Sequence, residues 1–492
     1  MRSSVEQMKD RSPTPIRFPE IFAFASSGCL LVIELLAGRI LAPSLGVSLY
    51  TWTGVIGTVL SGISLGNYVG GFIADRWPNR ATLSLTLFLS SCLTTSILLL
   101  INHLETVSDL APSTSSLPMT VLFVSFVLFF PVSLVLGTVI SQLVKLTLTS
   151  ITRTGRVVGR IQAAAALGSI FGTLATGFVL IAWFGTRSIL VGVALSLLLL
   201  SLVAAPRIEI PKLLALLVAL GVLVVTTVRY KDVCTRETNY YCLRVETIGS
   251  FQVLYIDDLF HGSVDLEHPY RPHLEYEKLM LSNLPSPSRT LEMDALVLGG
   301  GAYMLPRYLA HEYDANVVVV EIDPEVTNVA HRYFGLTPDS NMQTINEDAR
   351  VVLSNLTSTE RFDVVIEDAF GKLSVPHQLA TREFHTLVKA HLKESGVYLI
   401  NLIDGPEQVL LGSFLKTLQS VFPNVQVQTE GGLAPSHGVS NFVIAASRTV
   451  LAPQETQLPV ALMQAIVGRP SSVLLTDDYA PVDQMIWSPA LR

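Results

Sequence analysis

Long apolar runs separated by short polar breaks fill the first 228 residues, and the pattern then changes. Crossing the ~30 Å hydrocarbon core takes about 20 apolar helical residues. The runs at about 20–42, 49–74, 81–102, 118–147, 156–184, 187–205 and 211–228 therefore predict seven membrane helices. The last is the shortest, and it either spans or packs at the interface. Glycines recur in the second run (Gly54, Gly57, Gly62, Gly66, Gly70, Gly71) and the fifth (Gly168, Gly172, Gly177), a pattern that lets helix backbones approach in lipid. After residue 229 the apolar runs shorten to strand length. Leu243, Val245 and Ile248 form one run and Val253, Leu254 and Ile256 a second, closed by turn chemistry at Asp257-Asp258 and His261-Gly262. Strands at Ala295–Leu298, Val317–Val320, before Asn346 and from Phe362 then alternate with helices, the first of these starting near Leu305. The pattern predicts a polar segment at 1–19, a membrane domain at 20–228, a small β subdomain at 229–290 and a doubly wound α/β domain at 291–492.

Composition sharpens this division. The chain is 50% hydrophobic and 15% charged, and its mean hydropathy is +0.49. Soluble chains carry ~25% charge, so a purely soluble enzyme is disfavoured. Residues 1–228 hold 14 Lys+Arg against 8 Asp+Glu, and residues 229–492 hold 19 against 32. The acidic second half argues against a nucleic-acid partner. The polar stretch from Arg2 to Arg17, with Glu34 and Arg39 inside the first run, is unlike a cleavable signal peptide. Glu34 reads as a cation or proton site, or as the ion-pair partner of Arg39. Basic loops at 75–80 and 145–160 belong inside together with the N-terminus. Seven spans would then place the second half outside, and six would place it inside.

Four cysteines are too few for a disulfide framework. Cys29 and Cys92 read as core thiols. Cys234 and Cys242 could pair only where that region faces an oxidising compartment. His261, His268 and His273 lack metal-motif spacing, so no metal is expected.

The chemistry concentrates at the carboxyl ends of the second half's parallel strands, where ligands bind in such sheets. Gly299-Gly300-Gly301 follows the first strand and opens a helix, a turn that accepts close approach and an anionic group. Glu321 ends the second strand 20 residues after Gly301, placed to accept ribose hydroxyls, with Asp323 just beyond it. Asp348 and Ala349 follow the third strand, and Glu367-Asp368 the fourth. Strand alternation points Glu367 and Asp368 to opposite faces.

Two resemblances follow from these residues. Gly66 to Arg76, followed by Arg80, resembles the loop signature between the second and third helices of major facilitator transporters, here as a half-transporter. The glycine triplet, Val319–Pro324, Glu347–Arg350 and Phe362–Asp368 together resemble the spermidine synthase (polyamine aminopropyltransferase) family, which shares its scaffold with S-adenosylmethionine-dependent methyltransferases. Ser374–His377, Thr381–Phe384 and Thr476–Val482 are similar to its membrane-fused bacterial branch. The resemblance implies S-adenosylmethionine or its decarboxylated form as substrate, an amine acceptor and no prosthetic group. It implies that the glycine turn and Glu321 hold the ribose and that Asp348 accepts from the adenine. Asp368 would act as base, with Tyr276 orienting the amine and Glu367 as a further carboxylate. An acceptor pocket would draw on Asp257, His261 and Asp478. Ala302-Tyr303 stands where soluble members carry Asp-Gly, whose Asp contacts the amine end of the donor, and Tyr240-Tyr241 stands for their Tyr-Gln.

The expectation is a multi-pass protein of the plasma (inner) membrane, in contact with the lipid bilayer and open to homodimer formation. Its catalytic part would lie on the cytoplasmic side, where S-adenosyl donors are supplied. The competing expectations are a lyase-type or other S-adenosylmethionine enzyme, and a nucleoside sensor or transporter without turnover.

Overall fold

In the computed structural model the chain divides into two compact units, residues 1–233 and 234–492. The structure describes residues 16–206 and 234–485, apart from 46–48, 105–106, 108–116, 149, 258, 286–292, 339–340, 371–374 and 430–439. The expected span at 211–228, most of the polar segment at 1–19, Asp258 and Ser374 fall outside the described residues.

Among the described residues, the first unit contains six helices long and apolar enough to cross a membrane. They are α1 (Pro19–Leu45), α2 (Leu49–Arg76), α3 (Arg80–Leu100), α4 (Leu117–Thr147), α5 (Thr154–Ala175) and α6 (Thr186–Ala204). A π turn at Thr176–Leu180 carries α5 on towards Trp183. Packing is pairwise: α2 on α4, α1 on α5 and α3 on α6. Glycine makes the first two pairs close. A Cβ on Gly62 would lie 2.7 Å from Ser133 Cβ, one on Gly70 2.7 Å from Thr138 Cα, and one on Gly172 2.5 Å from Gly28 O. One on Gly66 would strike Leu134 O, and one on Gly168 would strike Phe24 O. Gly57, Gly71 and Gly177 meet nothing within 4 Å and do not serve packing within the unit. The third pair is tied by hydroxyls: Ser84 Oγ donates to Ser201 O (2.8 Å) and Ser91 Oγ to Ala194 O (2.7 Å). The Arg80 guanidinium donates to Val203 O and Ala204 O, the free carbonyls at the end of α6. Glu34 sits half-buried on α1, and Cys29 and Cys92 are free thiols.

Gly66→Val should overpack α2 against the backbone of α4, at a cost of about 3 kcal/mol or more. The expected outcome is a large loss of folded protein in the membrane fraction, with Gly57→Val near wild type. Equal yields of the two would contradict this packing.

The second unit opens with an antiparallel sheet in the order β1-β2-β3-β4: β1 (Arg236–Glu237), β2 (Cys242–Ile248), β3 (Phe251–Ile256) and β4 (Leu259–Asp265). A disulfide joins Cys234 to Cys242 across β1 and β2. After α7 (Glu275–Leu281) comes a seven-stranded sheet in the order β10-β11-β9-β8-β5-β6-β7. Its strands are β5 (Asp294–Leu298), β6 (Asn316–Val320), β7 (Met342–Ile345), β8 (Phe362–Glu367), β9 (Leu392–Asp404), β10 (Asn424–Thr429) and β11 (Ser440–Ser447). β5 to β9 pair in parallel, and β10 and β11 add an antiparallel edge that the sequence pattern did not distinguish. Alternation builds two cores, with Ala295, Val297, Val317 and Ile366 in one and Leu296, Leu298, Val320 and Val365 in the other. Helices α8 (Met304–Glu312), α9 (Pro324–Tyr333) and α10 (Ala349–Asn355) follow β5, β6 and β7. The strand order reverses at β5, between β8 and β6, so a crevice is expected at that point.

Candidate active site

The crevice is there. A cavity of about 450 Å³ lies against the carboxyl ends of β5, β6 and β8, and that volume suits a nucleoside with a side chain. Gly299 (φ +100°) turns the chain out of β5, and a Cβ there would collide with Asp368 O. Tyr303 follows in a left-handed conformation (φ +60°). Its ring is buried beneath Gly300, and its hydroxyl lies 2.7 Å from Thr327 Oγ1.

Glu321 locks this turn to the end of β6. Its Oε2 accepts from Gly300 N (2.7 Å) and its Oε1 from Asp323 N (2.9 Å). Burial pushes its pKa up, and these backbone donors pull the other way. Asp348 caps α10, accepting from Arg350 N (2.8 Å) and Val351 N (3.3 Å), and its Oδ2 accepts from Gln378 Nε2 (3.3 Å). Both carboxylates also line the cavity.

Asp368 follows β8 and is gripped at both oxygens. Tyr276 OH donates to Oδ2 (3.1 Å) and Asn401 Nδ2 to Oδ1 (2.9 Å), while Asn441 Nδ2 donates to Asn401 Oδ1 (2.9 Å). Burial raises the Asp368 pKa, offset by Asn401, Tyr276 and the nearby His261. The result is a proton acceptor of raised basicity, fixed in orientation and facing the cavity.

Gly299, Gly301, Glu321, Asp348, Ala349, Asp368, Tyr276 and His261 thus converge on one cavity, with Gly300 in the turn beside it. Four expected residues are placed elsewhere. Glu367 is 0% exposed in the core, where the Tyr398 hydroxyl donates to it beside His385, because it alternates away from Asp368. Asp323 is a helix cap, accepting from Glu325 N (3.0 Å) and Thr238 Oγ1 (2.5 Å). Asp257 accepts from Cys242 N (3.2 Å) in the β3–β4 turn. Asp478 is exposed, and its neighbour Asp477 pairs with Arg350 at 2.7 Å. The three histidines have separate partners: His273 meets Ser263, His268 meets Asp265, and His261 meets Leu259 O. Asn401, Asn441, Gln378 and Tyr241 also line or support the cavity and were not expected there. For Asn401 the available signal was a polar residue inside an apolar strand.

Residues 274–431 match the spermine/spermidine synthase domain family. A polyamine aminopropyltransferase of Vibrio vulnificus is 35% identical over 136 residues, covering 27% of this chain and 44% of that protein. A probable polyamine aminopropyl transferase of Bifidobacterium longum is 33% identical over 192 residues (38% and 42%). A polyamine aminopropyltransferase of Corynebacterium efficiens is 29% identical over 277 residues (49% and 51%). The chain spans about half the length or less of these relatives. Its second unit therefore contains a stretch homologous to the aminopropyltransferases.

Proposed function

We propose that the second unit transfers an aminopropyl group from an S-adenosyl sulfonium to an amine. The observation that carries this reading is Asp368, held by Tyr276 and Asn401 beside the glycine turn and Glu321. In the reaction the amine lone pair attacks the methylene carbon next to the sulfonium. The C–S bond breaks, its electron pair goes to sulfur, and neutral methylthioadenosine leaves. The proton lost by the new ammonium passes to the Asp368 carboxylate. Glu321 and the turn hold the ribose, Asp348 faces the base, and Tyr276 fixes the carboxylate along the line of attack. Six helices long and apolar enough to cross a membrane support a membrane-anchored protein. Donor supply favours a cytoplasmic catalytic unit, whereas the Cys234–Cys242 disulfide favours an oxidising side.

The test is methylthioadenosine release by the purified full chain. S-adenosylmethionine and its decarboxylated form are each offered with and without putrescine. Amine-dependent release from the decarboxylated donor is expected. Amine-independent release from S-adenosylmethionine would replace this reading with a lyase, the alternative that Ala302 favours. Nucleoside binding with no release from either donor would indicate a sensor.

A further inference from the structure

Beside the main cavity lies a hollow of about 20 Å³, lined by His261, Gly262, Tyr276, Glu277, Ala302 and Asp368 among others. One water-sized group needs ~10–15 Å³, so the hollow has room for a small polar group such as a single ammonium.

The charges lining it agree. Glu277 is 1% exposed. Its Oε2 accepts from His273 N (3.3 Å) and Leu274 N (3.2 Å) at the start of α7, and its Oε1 makes no hydrogen bond among the described residues. Burial pushes this carboxyl up to about 8, and an arriving cation would favour its ionised form. Ala302 contributes only a methyl group, 3.1 Å from where a Cβ on Gly262 would sit. No Lys or Arg among the described residues lines the hollow or the main cavity. A donor side chain ending in a carboxylate would meet Glu277 and Asp368 with no cation to offset them.

We propose that Glu277 is the specificity-determining residue for the donor, anchoring a terminal ammonium and rejecting donors that keep an α-carboxylate. The proposal rests on the aminopropyl-transfer reading and narrows it. Glu277, on α7, and Ala302 line the same hollow.

The experiment is equilibrium binding to the full-length protein of two thioethers, both uncharged at sulfur. One is methylthioadenosine, and the other is its analogue carrying a 3-aminopropyl group on sulfur. A charged hydrogen bond is worth roughly 10- to 100-fold, so wild type should prefer the amine-bearing ligand by that factor. Glu277→Gln should erase the preference and leave methylthioadenosine binding within about 2-fold, because that ligand does not enter the hollow and reports a folded site. Adding Ala302→Asp to Glu277→Gln should restore the preference. A preference that survives Glu277→Gln overturns the proposal and leaves the nucleoside site standing. So does equal binding of S-adenosylmethionine and its decarboxylated form by wild type. Failure of wild type to bind methylthioadenosine overturns the nucleoside reading itself, and the proposal with it.

Discussion

Asp368→Asn should lower kcat by about 10²- to 10⁴-fold, the usual worth of a positioned general base. Methylthioadenosine affinity should stay within a few-fold, because Asn keeps the shape and the proposed partner of Asp368 is the amine rather than the nucleoside. The pH profile carries the same information. Burial raises the Asp368 pKa and the carboxylate is the working form, so kcat/KM should fall as pH drops through that raised pKa. Asn401 and Tyr276 each donate to the carboxylate and lower its pKa. Removing either donor, in Asn401→Leu or Tyr276→Phe, should therefore move the acid limb to higher pH. An acid limb that stays in place would show that Asp368 is not the titrating base.

Glu321→Ala should weaken methylthioadenosine binding by roughly 100-fold or more if it holds the ribose as proposed, since a charged hydrogen bond is worth ~1.5–3 kcal/mol. It should also lower the melting temperature of the second unit. Gly300 N and Asp323 N lose their acceptor together, at about 1–3 kcal/mol for each buried donor left unpaired. Asp323→Ala removes a helix cap and the Thr238 contact, so it should lower the melting temperature with a much smaller effect on binding. Calorimetry with methylthioadenosine and thermal melts of both variants separate the two roles. Equal binding losses would place Asp323 at the ligand after all.

The sequence disclosed what short-range physics encodes. Six apolar runs became helices because apolar length alone meets the demands of a bilayer, and Gly62, Gly66 and Gly70 mark one face because they repeat at helical spacing. The glycine turn, Glu321, Asp348 and Asp368 could be grouped because parallel strands bring their carboxyl ends to one edge. What stayed hidden depends on pairing between distant segments. Asn401 reaches Asp368 because β9 pairs with β8, and Asn441 reaches Asn401 only because antiparallel β11 lies beside β9, an edge the pattern does not distinguish from another parallel strand. Asp257 and Asp323 look like ligands in sequence, yet they hold turns and caps, and acids at strand ends serve both purposes. Glu277 reads in the sequence as an acid in the first turn of a helix, which it also caps, and its burial is visible only in the fold.

The Cys234–Cys242 bond closes a short ring immediately after the membrane unit. Each pass of the chain through the bilayer exchanges one side for the other, so the side on which that ring is made fixes whether the number of passes is odd or even. Cytosolic reductants keep such thiols open, so with the N-terminus inside, as the basic loops argue, an intact ring in protein alkylated at cell lysis requires an odd number, and two alkylated thiols an even one. The presence or absence of two alkyl groups near one bend of the chain thus becomes a parity count for the whole polypeptide.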